Sequence, residues 1–183
     1  MWKLLSRALA SSRSRKSRPV GRCLTGSANI AVVYPLISRL TATTPIAMTK
    51  VFLDSSVALY LLSGDAVKAD RAEGLMAEGG VISVQVLNEI ANVTRRKLAM
   101  SWRETNDVLD AVRAVCTTEP LTVETHDTGR RISERYGLSV YDAMIVAAAL
   151  LAECDVLYSE DMHDGLVIDE RLRIVNPFAG AGV

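Results

Sequence analysis

Four carboxylates in this 183-residue chain are placed where they could do chemistry together. Asp54 follows the apolar run Val51-Phe52-Leu53, and Glu89 lies in the segment after Val81-Ile82-Ser83. Asp142 opens an apolar helical stretch, and Asp161 comes shortly after Val156-Leu157-Tyr158. If the three runs are strands of a parallel sheet, they exit at one edge, and ligands bind in the crevice outside those carboxyl ends. Two like charges about 4 Å apart repel by roughly 4 kcal/mol at an effective dielectric near 20, so such a cluster needs protons or divalent cations between its members. A magnesium or manganese site is the expected outcome.

Each acid also has a structural task to perform. Asp54 precedes Ser55-Ser56 and can cap the next helix. Asp142 fits the third position of a helix capped by Ser139, where negative charge is favourable in any case. Asp161 sits in a polar loop, Ser159 to Gly165, whose acids can be solvated. Glu89 resists such a reading, because at helical spacing its neighbours are Val86 and Val93; a carboxylate there wants a partner, either Arg96 two turns on or a metal. The case for chemistry rests on the conjunction of all four.

The elements that would position them alternate between strand and helix. Strands are expected at Lys50 to Leu53, Val81 to Ser83, Leu121 to Val123, Val156 to Tyr158 and Leu172 to Val175. Helices are expected from Ser55 or Ser56 to Leu62, from Ala66 to Ala77 with a stop at Gly79-Gly80, and from Val84 to Leu98. Ser101-Trp102-Arg103-Glu104 has the form of a capping box opening a helix that turns Trp102, Thr105, Val108/Leu109 and Val112 inward. A charged helix ends at Gly137, and the most apolar one runs from Ser139 to about Ala152. Such alternation implies βαβ crossovers: an α/β fold of three layers, α/β/α, around a central, mainly parallel sheet.

Totals narrow the options. The apolar content of 49% suffices for one proper core, and the longest apolar run, Ala143 to Ala152, is too short to span a membrane. The net charge of zero hides an asymmetry: residues 1–47 carry eight basic groups and no acid, which leaves 13 Lys and Arg against 21 Asp and Glu in the remainder. An acidic body argues against a broad basic surface. Contacts to nucleic acid then fall to bound metal and to local cations, for which Arg95, Arg96, Lys97, Arg130, Arg131 and Arg135 are available, although most of these read as a solvated face. Aromatic residues make up only 5% of the chain, so a stacking platform for bases is not expected. Cys23, Cys116 and Cys154 are widely spaced and without zinc-type patterning, which fits thiols in a reducing, cytoplasmic setting. With only His126 and His163 present, histidine-centred chemistry is disfavoured.

Residues 1–47 are Arg/Ser-rich and broken by Pro19, Pro35 and Pro45, and cannot bury themselves as a domain. An organelle transit peptide and a basic nucleic-acid arm are two readings. The preferred one is a disordered extension outside the functional protein, with Met48 as the real start, a domain over 48–179 and a short tail at 180–183.

Val51-Phe52-Leu53-Asp54-Ser55-Ser56, Asn88-Glu89-Ile90, Ser139-Val140-Tyr141-Asp142-Ala143-Met144-Ile145-Val146-Ala147-Ala148-Ala149 and Leu157-Tyr158-Ser159-Glu160-Asp161 together resemble the signature blocks of PIN-domain proteins, particularly VapC-type toxins of toxin–antitoxin pairs. The resemblance runs from Thr49 to Phe178. It implies a magnesium-dependent endoribonuclease, manganese being a possible substitute, with Asp54, Glu89, Asp142 and Asp161 as catalytic metal-binding acids. Ser56 would be a supporting polar group and Asp164 an accessory acid. It further implies an RNA substrate, a homodimer, and an antitoxin partner that blocks the acidic groove. The extension at 1–47 and the order Met162-His163-Asp164 depart from the family pattern. The alternative is a non-catalytic PIN-like module that binds RNA or protein, whose mark would be a missing acid. A phosphatase with Asp54 as nucleophile is disfavoured, since the second position of its Asp-x-Asp arrangement holds Ser56.

Overall fold

The computed structural model describes residues 49–180. The expectations for the extension at 1–47, for a start at Met48 and for nearly all of the 180–183 tail fall outside the described residues. The elements are β1 (Val51–Leu53), α1 (Ser55–Tyr60), α2 (Ala66–Ala77), β2 (Gly80–Ser83), α3 (Val84–Arg96), α4 (Trp102–Val115), β3 (Cys116–Glu119), α5 (Val123–Tyr136), α6 (Val140–Leu151), β4 (Val156–Tyr158), β5 (Val167–Ile168) and β6 (Leu172–Val175).

The strands form one six-stranded sheet in the order β3-β2-β1-β4-β6-β5. Every pairing is parallel except that of β5 with β6. Successive strand residues point to opposite faces, and both Phe52 and Leu53 are buried, as are both Val81 and Ile82. Both faces of the sheet are therefore covered, as the expected three-layer α/β/α arrangement requires. α6 is buried almost all round, from Ala143 to Leu150, so its apolar sequence is that of a central helix. No helix among the described residues is long and apolar enough to cross a membrane.

Local chemistry explains most boundaries. Asp65 caps α2, Ser101 and Glu104 close a full capping box on α4, and Gly137 ends α5 with a left-handed φ of 71° that favours glycine. At the start of α1 the cap is Asp54 itself, whose side chain accepts the Ser55 N–H.

Two expectations need correction, and one strand was missed. The third strand is Cys116–Glu119 and not Leu121 to Val123. α4 passes straight into it, Pro120 ends it because proline has no N–H to donate, and Thr122 caps α5 by accepting the Thr125 N–H at 3.1 Å. Trp102 does not turn inward: it is 62% exposed, while Thr105, Val108 and Val112 are buried as expected. At the first helical position the side chain lies beyond the stripe that reaches the core. The two-residue β5 was not anticipated; it is too short to show a period, and only its antiparallel pairing with β6 defines it.

Candidate metal site at the carboxyl edge of the sheet

β1 ends where Asp54 begins, and the Asp54 N–H donates to the carbonyl of Tyr158 at 3.0 Å, so the ends of the two central strands meet at this residue. The Asp54 carboxylate is 3% exposed. Its Oδ1 accepts the Ser55 N–H at 2.6 Å, and its Oδ2 accepts the hydroxyls of Ser56 at 2.9 Å and Ser159 at 2.7 Å. The same two hydroxyls fix the loop after β4: Ser56 Oγ accepts the Glu160 N–H at 3.2 Å and Ser159 Oγ accepts the Met162 N–H at 3.3 Å. Ser56 thus binds both the Asp54 carboxylate and the loop after β4.

Glu89, half-buried on α3, is joined to this group through one hydroxyl. Ser55 Oγ donates to Glu89 Oε2 at 2.7 Å, and Gln85 Nε2 donates to Oε1 at 3.0 Å. Of the two partners considered for Glu89, Arg96 or a metal, Arg96 does not pair with it; among the described residues its partners are Ser55 and Gln85. Burial pushes the Asp54 carboxyl above the usual carboxylate range. The hydrogen bonds from Ser159 and Ser56 pull it back, and the nearby negative charge of Glu89 raises it further.

Asp142 stands at the third position of α6, where its backbone N–H donates to Ser139 Oγ at 3.2 Å while Ser139 Oγ donates to its Oδ2 at 2.7 Å. α6 leads directly to the beginning of β4, where the Asp155 N–H donates to the carbonyl of Lys50 at the amino edge of the sheet. The other end of α6, with Asp142, therefore faces the carboxyl edge that holds Asp54. Asp161 is exposed in the loop after β4, and its side chain makes no hydrogen bond among the described residues. Asp164 is committed elsewhere, accepting the Asn176 N–H at 2.8 Å.

Topology thus assigns Asp54, Glu89, Asp142 and Asp161 to one edge, and contact joins two of them. Among the described residues no three His, Cys, Asp or Glu side chains stand close enough together to grip a metal ion. The donor set nevertheless suits a hard divalent ion: oxygen ligands only, two of them linked through Ser55, and none of the four in an ion pair among the described residues.

Reading the sequence missed Ser159, Ser55 and Gln85 as parts of this network. Ser159 follows β4 as Asp54 follows β1, a matching position that signals the same edge. Glu160, the neighbour of Asp161, points away and pairs with Lys68 at 2.5 Å and with the Tyr60 hydroxyl. Lys68 in turn lies over the rings of Tyr60 and Phe178, which pack 4.5 Å apart, so this group ties the post-β4 loop to α1, α2 and the C-terminal stretch.

A family model described as PIN domain matches residues 51–163. Among solved structures, the chain is similar to VapC20 of Mycobacterium tuberculosis, a sarcin-ricin-loop-cleaving toxin, at 20% identity and a TM-score of 0.52, covering 61% of this chain and 90% of that one. It is similar to a toxin–antitoxin complex from Klebsiella pneumoniae at 18% identity and a TM-score of 0.54, covering 70% and 98%. VapBC2 from Rickettsia felis, solved with a fragment of its promoter DNA, aligns at 16% identity and a TM-score of 0.51, covering 69% and 98%. No curated protein matches the chain.

Proposed function

The chain belongs to the PIN-domain family, and from that premise we propose that it is a metal-dependent endoribonuclease acting as the toxin of a toxin–antitoxin pair. The observation that carries the reading is the Asp54–Ser55–Glu89 linkage: two carboxylates held together at the carboxyl edge, one almost fully buried, with no cation on either among the described residues. Asp54, Glu89, Asp142 and Asp161 are the residues that would hold magnesium or manganese. Such an ion supplies an activated water for in-line attack on a phosphodiester and stabilises charge on the leaving oxygen.

The chain's own residues do the rest. Ser56 and Ser159 aim the Asp54 carboxylate and hold the loop that bears Asp161, so two ligands are oriented by one pair of hydroxyls. Gln85 and Ser55 fix both oxygens of Glu89, and Ser139 fixes one oxygen of Asp142. Side chains held in this way lose little rotamer freedom on binding an ion. Similarity in fold to toxin–antitoxin assemblies supports an antitoxin partner; a homodimer, and an antitoxin that covers the acidic edge, are part of the same proposal.

The test is cleavage of a structured RNA in saturating Mn²⁺. Asp54→Ala and Asp142→Ala should each abolish cleavage, by about a hundredfold or more, with the circular dichroism spectrum unchanged. Cleavage retained by both variants would refute the assignment; binding without cleavage by the unsubstituted chain would favour a non-catalytic module.

A further inference from the structure

The turn between α3 and α4 combines features that the acidic body elsewhere lacks. From residue 95 to 103 it carries Arg95, Arg96, Lys97 and Arg103 and no acid. None of the four is in an ion pair among the described residues. Trp102 stands among them, 62% exposed, with Leu98 46% exposed nearby. The indole is held in place: the Arg95 guanidinium lies 4.9 Å from its ring centroid and also donates to the Met100 carbonyl. The turn itself is closed by Met100 N–H to the Thr94 carbonyl at 3.0 Å and Leu98 N–H to the Val93 carbonyl at 3.2 Å, and the Thr94 and Thr105 hydroxyls join the two helices at 3.2 Å.

Its place relative to the carboxylates follows from lengths. α4 ends at the amino edge, where the Val115 carbonyl abuts Gly79 at the entrance to β2. Fourteen helical residues cover about 21 Å, whereas the four residues of β3 cover about 13 Å, so α4 is long enough for its start to reach the carboxyl edge. Arg96 lies two turns beyond Glu89 on α3, about 10 Å further along the same face.

We propose that this turn is an RNA-docking platform flanking the metal site, on which an unpaired base stacks against the free face of Trp102 while Arg96, Lys97 and Arg103 meet the phosphates on either side. Arg95, stacked on the other face and anchored to Met100, keeps the ring from collapsing onto the helix. The charge favours a polyanion over a protein groove: four cations, none in an ion pair among the described residues, fall within nine residues that also carry one exposed aromatic ring, in a body whose net charge is negative. Base stacking tolerates any sequence, and cation–phosphate contacts are salt-sensitive, so the platform sets affinity and orientation rather than base identity. The proposal rests on the reading of the chain as an RNA-cleaving enzyme and names the surface that receives the strand.

The experiment is fluorescence-anisotropy titration of the full chain, with EDTA present to prevent cleavage, against a labelled single-stranded RNA of 20 nucleotides. Trp102→Ala should weaken binding about tenfold and Trp102→Phe much less, while Arg96→Gln and Lys97→Gln should each lower the salt slope by about one. In a Trp2→Phe background the remaining indole should be quenched by RNA. Unchanged affinity in Trp102→Ala together with an indole that does not respond to RNA overturns the platform. So does loss of binding to a protein partner in that variant with RNA affinity intact, which would make the turn a protein interface. Because no step here requires metal, a failed platform is distinguishable from a failed nuclease assignment, which is read from Asp54→Ala in Mn²⁺.

Discussion

The position of Asp54 is costly, since a carboxylate 3% exposed and next to Glu89 has its pKa raised by burial first and by like charge second. The sign of the effect on stability follows. With the folded value above the unfolded one, the folded state binds the proton more tightly; its disadvantage grows as pH rises through the folded pKa and is relieved as pH falls. Asp54→Asn removes the charge at constant shape, and the amide can still accept from the Ser55 N–H while donating to Ser56 or Ser159. At pH 7 without metal this variant is expected to melt about 3 °C above the unsubstituted chain, and the gain should vanish below the ordinary carboxylate range. Differential scanning fluorimetry across pH checks it, and an unchanged or lowered melting temperature at pH 7 would contradict the burial argument. Cys116 and Cys154 are buried thiols with pKa values pushed up to about 11, so neither is a reactive group at neutral pH.

Helix packing decides where Asp142 stands. α5 and α6 cross closely at Gly129, where an added Cβ would lie 2.8 Å from Met144 Sδ and 3.3 Å from the Ala143 carbonyl oxygen, both residues within the two positions after Asp142. The thioether can swing aside, but the backbone oxygen cannot without moving α6. Gly129→Ala should therefore destabilise the fold by about 1–3 kcal/mol despite the higher helix propensity of alanine, and should also reduce cleavage by displacing the start of α6. Urea denaturation measures the first effect and a cleavage assay the second; a variant as stable as the parent would show that α5 and α6 have room to spare. The elements themselves were largely legible beforehand. α2 falls at Ala66–Ala77 because Asp65 and Gly79-Gly80 bracket it, and α6 follows from its Ser139 cap and unbroken apolar run. β3 was misplaced because Cys116-Thr117-Thr118-Glu119 has no alternating pattern and continues a helix without a break. Its strand character comes from parallel pairing with β2, which no local signal encodes.

At the scale of the molecule, the site is a sum over distant segments, so metal binding should register as global stability. Mn²⁺ at a hundredfold excess over its dissociation constant adds about 2.7 kcal/mol to the folded state, an expected rise of roughly 5–10 °C in melting temperature. Mg²⁺ should act in the same direction, and Asp54→Asn should abolish most of the shift for both ions. A shift of equal size in that variant would place the ion elsewhere on the protein. What the sequence determined by itself was the alternation of elements and the positions of the acids along them: strand ends, caps and apolar periods are local signals carried by residue type and spacing. It could not determine that Ser159 and Ser55 bind Asp54 to its neighbours, that Glu89 meets Gln85 and Ser55 rather than Arg96, or that Trp102 faces solvent. Those outcomes depend on which strands lie side by side and how far each helix extends, and only the assembled sheet brings residues a hundred positions apart within reach of one carboxylate.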